Sequence, residues 1–363
     1  MTACLLLVVA DSPYTLYLIR LLLLAVRDGL YPGLERKLLM TTIATTSQPA
    51  TSSSLKRLIR RHPLLAYFVI AFVGSWASLL PIALSRGVNG LGLLPYTLPD
   101  SAFYIAGILF TFAGPALASL VVTAIISGRA GVGQLLRRCL QWRVGIGWYL
   151  IAMFGFLLIF LLGYSIFLGV NLPLALLAHS PLLLTAFLPL AVLIILTASF
   201  AEELGWRGFA LPRLQQRYGP VLGTVILGTL HGLWHLPAFF TQILGPFSLP
   251  NYAGFLIVAI AASFLYTWVF NHTRGSVLLA TLTHGFGDAA GGLVTLLIPA
   301  QLVVSGWAQP VVNGSWQGMN VISFGVCALL LIVLTRGRLG YQPERNAQLI
   351  EAPRPAEAPS VNV

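Results

Sequence analysis

Apolar residues in this chain do not alternate with polar ones; they come in long runs separated by short polar intervals. Eight runs are long enough to cross a hydrocarbon core about 30 Å thick as helices. They lie at about 63–85, 102–127, 146–170, 180–201, 219–240, 252–271, 276–299 and 319–335. The roughly ten-residue alternation of a transmembrane β-strand is absent. The pattern predicts an all-α fold, a polytopic transmembrane helix bundle of about eight spans.

The flanks break the pattern. Residues 4–26 are Leu-rich but interrupted by Asp11, Pro13 and Arg20, and they lack the basic start of a secretory signal. A ninth span and an interfacial helix both fit them. Residues 41–55 are rich in Ser and Thr and read as a linker, and Met40 just before it offers an alternative translation start. The expected organisation is therefore an N-terminal extension and linker at 1–55, a transmembrane domain at 56–340, and a disordered cytoplasmic tail at 341–363.

Composition supports the membrane reading. The chain is 57% apolar and only 9% charged, with a mean hydropathy of +0.87; soluble domains carry about 25% charged residues. The net charge of +11 does not mean nucleic acid, because the basic residues fall between apolar runs with no interleaved aromatic motif. Their partner is the lipid bilayer, at its anionic surface. Lys56, Arg57, Arg60 and Arg61 precede the first run; Arg129, Arg137, Arg138 and Arg143 follow the second; Arg213 and Arg217 follow the fourth, Arg274 the sixth, Arg336 and Arg338 the eighth. The other loops hold only Arg86. Alternate loops agree, which predicts a multi-pass integral membrane protein with both ends of the bundle cytoplasmic. Cys4, Cys139 and Cys327 are scattered and form neither a disulfide framework nor a thiolate metal site.

Against this apolar background, ionisable residues stand out. Between residues 101 and 343 the acidic side chains are Glu202, Glu203 and Asp288, and three histidines, His231, His235 and His284, lie in the same apolar stretches. A lipid-embedded charge costs about 2.5–3.5 kcal/mol on insertion scales, so such residues read as functional. In Glu202-Glu203-Leu-Gly-Trp-Arg207, Glu203 and Arg207 share a helix face and form the natural ion pair, while Glu202 points about 100° away and is expected to be free. His231 and His235 lie one turn apart and suit two metal ligands or a base with its neighbour. His284 and Asp288 repeat that spacing, and a carboxylate deep in lipid is expected to stay protonated or hydrogen-bond an imidazole.

These three motifs, in this order and on separate spans, resemble the CAAX protease and bacteriocin-processing family of intramembrane endopeptidases, related to type II CAAX prenyl endopeptidases. The pattern is EExxxR, then a histidine followed closely by proline, then HxxxN or HxxxD. The Leu-His-Gly-Leu-Trp-His-Leu-Pro run around His235 and the Thr-Arg-Gly-Ser before the seventh span are similar as well, and residues 185–292 carry the likeness. The resemblance implies hydrolysis of a peptide bond in a membrane-associated polypeptide. In it, Glu202 and His235 bind and activate water, Glu203 and Arg207 hold the helix end, and His284 and Asp288 face the oxyanion. Two departures stand out: His231 occupies a position usually aromatic, and Asp288 one often held by Asn. An ionised Asp288 would repel an oxyanion, so it is either protonated or orients His284 from the side. The resemblance admits a metal-free route and a metal-dependent one, with Glu202, His231, His235 and His284 as ligands for a divalent metal such as zinc. An ion- or proton-coupled transporter and a non-catalytic member of the same fold are the alternatives. Glu202 and His235 can meet only if the fourth span continues past Arg207 or the fifth starts well outside the hydrocarbon. The meeting place is expected to be a polar cavity partway into the membrane.

Overall fold

The computed structural model describes residues 54–86, 90–168, 171–241, 244, 247–297 and 318–350. Contacts divide the chain into two units, Met1–Arg57 and Leu58–Val363. Apart from its last residues, in the helix Ser54–Arg61, the first unit lies outside the described residues. So do Cys4, Met40 and nearly all of the expected extension and linker. The second unit is helical, with no strand among the described residues.

Its helices are α1 (Pro63–Leu84), α2 (Asp100–Thr111), α3 (Leu117–Cys139), α4 (Ile146–Leu168), α5 (Leu188–Ile194), α6 (Phe200–Gly205), α7 (Leu211–Trp234), α8 (Leu249–His272), α9 (Val277–Leu297), α10 (Met319–Leu334) and α11 (Pro343–Ile350). Single π-helical turns join several of them in line: Phe112–Ala116 links α2 to α3, Ile195–Ser199 links α5 to α6, and Trp206–Ala210 links α6 to α7. Every apolar run is helical, but the expected eight spans regroup. Six helical passages among the described residues are long and apolar enough to cross a membrane. The runs at 180–201 and 219–240 fall within one stretch, Leu183–Phe240, because helix continues through Arg207 and breaks only at Gly219. The last run, Met319–Leu334, is 16 residues, short of the ~20 a span requires.

Two apolar cores hold the bundle. One draws on α4, α5, α8, α9 and α10; the other on α1, α2, α3, the start and end of α7, and the Trp206–Ala210 turn. On α4 the residues Leu150, Phe154, Leu158, Leu162 and Ile166, each one turn from the next, stay exposed while Phe156 and Phe160 are buried. A helix apolar on both sides, one facing protein and one facing lipid, fits a membrane span. The unit is an integral membrane protein.

One expectation is corrected. The tail expected to be disordered from Tyr341 begins with α11, whose Asn346 Nδ2 donates to the Pro212 carbonyl at 2.8 Å, while Gln134 Nε2 donates to the Gln348 carbonyl at 2.6 Å. Polar residues that looked like solvated tail thus bond to α3 and α7. Residues 351–363 lie outside the described set.

Candidate active site

The site is built on a helical hairpin. The chain rises through α6, the Trp206–Ala210 turn and the first part of α7, then reverses at Gly219, whose φ of 75° and ψ of 171° lie in a region open essentially to Gly alone. Pro220 starts the returning arm. Glu202 and His235 stand at similar distances from that corner, each about 25 Å of helical rise away, and so face each other across the two arms. This is the first of the two routes by which they could meet: helix does continue past Arg207. Residues 201–212 are buried without exception. Gly205 allows α6 to press against the Phe112–Ala116 turn, since a Cβ there would lie 2.6 Å from Pro115 Cβ.

Two charge clusters result. In the first, Glu202 is not free: its Oε2 accepts from His231 Nε2 at 2.9 Å. His231, where an aromatic residue is usual, therefore captures the carboxylate across the hairpin. His235 follows at the end of α7, where its Nδ1 donates to the His231 carbonyl at 3.0 Å, which fixes the tautomer and leaves Nε2 with a lone pair. In the second cluster, Glu203 Oε1 accepts from Arg207 Nη1 at 2.7 Å and from His284 Nδ1 at 2.8 Å. Asp288 lies beyond His284, its Oδ2 3.5 Å from His284 Nε2, with a side chain 48% exposed. Asp288 thus stands on α9 one turn from the buried His284, beside its imidazole and half-exposed on the bundle surface.

Ligand atoms of Glu202, His231 and His235 all lie within 4.8 Å of one another. Two imidazoles and a carboxylate are a donor set suited to zinc with an open fourth position. His284 stands outside this group, its Nδ1 bonded to Glu203 and its ring centroid 6.1 Å from that of His231.

Several participants carried no signal in the sequence. Tyr266 stacks on Arg207, whose Cζ lies 4.3 Å from the ring centroid, and Ser263 Oγ accepts from Arg207 Nη2 at 3.4 Å. Tyr67 of α1, fully buried, stacks on Phe209 and meets Trp206 edge-on. Trp76 Nε1 donates to the Trp234 carbonyl at 3.0 Å, tying α1 to the end of α7 beside His235. All lie in apolar spans where one more aromatic or hydroxyl residue is unexceptional. Buried polar atoms near the site with no partner among the described residues include Glu203 Oε2, Trp206 Nε1, Arg207 Nε and Trp234 Nε1.

This arrangement coincides with a segment known elsewhere. Residues 184–290 match the family described as type II CAAX prenyl endopeptidase Rce1-like. The segment resembles that family. All the residues singled out above on α6, α7, α8 and α9 fall inside it, whereas Tyr67 and Trp76 do not. CAAX prenyl protease 2 of Methanococcus maripaludis is 32% identical over 97 residues, a stretch that covers 25% of this chain and 35% of that protein. The likeness therefore covers the hairpin and the helices that close it, and little else.

Proposed function

We propose that the chain is an intramembrane endopeptidase that hydrolyses a peptide bond of a membrane-associated polypeptide. The observation that carries the reading is the Glu202–His231–His235 cluster, a carboxylate and two imidazoles converging across the hairpin within the Rce1-like segment. Amide hydrolysis needs an activated water, a proton for the leaving amine and donors toward the oxyanion. Glu202 is the general base, oriented by His231. His235, with Nδ1 held by a backbone carbonyl, presents Nε2 to the same water. Glu203 and Arg207 are positioning residues: Glu203 holds His284 through Nδ1, which leaves Nε2 as the edge that meets a developing oxyanion. Asp288 takes the second of its two readings and orients His284 from the side. Glu202, His231 and His235 fit a divalent metal such as zinc, which would supply Lewis-acid activation of the water.

By its likeness to a CAAX prenyl protease, the first substrate class to try is a prenylated CAAX-type polypeptide. The basic loops favour an orientation with both ends of the bundle cytoplasmic. The test compares membrane peptides by mass spectrometry from cells producing the wild-type chain and Glu202→Ala. Fragments should depend on Glu202, with loss of roughly 10²–10⁴-fold in rate for a missing general base. Cleavage retained in both Glu202→Ala and His235→Ala ends the proposal.

A further inference from the structure

Arg138, near the end of α3, is 6% exposed. Its Nη2 donates to the Gly208 carbonyl in the Trp206–Ala210 turn, but Nε and Nη1 are buried with no partner among the described residues. Arg138 lines a small, partly open cleft between α3, the turn and α11, with room for about one water beyond its open mouth. Its lining also includes Arg213, Thr123, Ser127 and Gln134, and no carboxylate. Arg213 is held in place, with Nη1 donating to the Phe209 carbonyl at 2.9 Å and Cζ 3.8 Å from the Phe209 ring centroid. Two guanidiniums, two hydroxyls and an amide thus surround one opening, at the basic end of the bundle, with no acidic side chain among the described residues to balance them.

A buried arginine with unused N–H groups is costly unless an anion meets it. Guanidinium is the side chain best matched to tetrahedral oxyanions, and hydroxyls supply the remaining donors. We propose that this cavity is an anion site for a phosphate group, taken from a lipid headgroup or from free phosphate. The site is separate from the candidate active site and does not depend on the proposed hydrolysis. Its ligand would bridge α3, the turn that carries Arg207, and α11.

The test uses the full chain purified into phosphatidylcholine nanodiscs, with thermal unfolding followed by tryptophan fluorescence at constant ionic strength. Inorganic phosphate should raise the midpoint saturably. Arg138→Gln should abolish the rise, and Arg213→Gln should weaken the apparent affinity about tenfold or more, as expected for one charge-assisted hydrogen bond. In a second arm, phosphatidic acid replaces part of the phosphatidylcholine and no inorganic phosphate is added. An Arg138-dependent rise here, with no further response to added phosphate, assigns the headgroup as the source; a rise with inorganic phosphate alone assigns the free ion. If Arg138→Gln does not fold, Ser127→Asp keeps the arginine and sets a carboxylate in the cavity. It should raise the midpoint without ligand and abolish the response to both probes. No response of the wild type to either probe overturns the proposal, as does an undiminished response in Arg138→Gln or in Ser127→Asp.

Discussion

Two arginines are buried against the same π-helical turn, and the bundle treats them in opposite ways. Arg207 has a carboxylate at 2.7 Å, a serine hydroxyl and a tyrosine face. Arg138 has one backbone carbonyl and a cavity. The first charge is compensated from within, and its partner Glu203 is shared with a histidine of the candidate site. The second has no counter-charge among the described residues. Burial alone does not distinguish a structural arginine from a binding one; the account of its N–H groups does.

The contrast can be broken most decisively at Glu203. Glu203→Gln leaves Arg207 buried without its counter-charge and should cost about 3–5 kcal/mol of stability, measured by chemical denaturation in detergent. A loss below about 1 kcal/mol would mean that Arg207 is solvated and the distinction is void. Arg138→Met removes no ion pair, only one hydrogen bond, and relieves an unpaired charge. In phosphate-free nanodiscs its effect should stay within about 1.5 kcal/mol, and a change as large as that of Glu203→Gln would erase the asymmetry. The smallest effect is expected at Asp288. Its half-exposed carboxylate sits 3.5 Å from His284, so Asp288→Asn should change stability by less than about 1 kcal/mol, with any larger consequence confined to turnover.

The apolar runs made the helices legible, because a span needs little more than length and the exclusion of charge. They did not reveal how the helices join. The sequence offered Gly219-Pro220 as a start for the fifth span and helix past Arg207 as one of two routes, but not the reversal at Gly219 that sets the height of the two arms. The Glu203–Arg207 pair followed from four-residue spacing alone. The Glu202–His231 bond did not, since it spans two arms whose relative height depends on where the corner falls. Tyr266, Ser263 and Tyr67 were invisible for a related reason: among many apolar and aromatic side chains, nothing in composition says which one turns toward a charge. The polar tail misled because acceptors for Asn346 lie 134 residues away.

The corner at Gly219 also makes the hairpin a ruler. One residue added to either arm between Glu202 and His231 would lift the side chains beyond it by about 1.5 Å and swing them by about 100°, turning a ligand into a lipid-facing group. Insertions should therefore be confined to the connections outside this stretch, and the count from carboxylate to corner to imidazole should be as inflexible as the identities of the residues themselves.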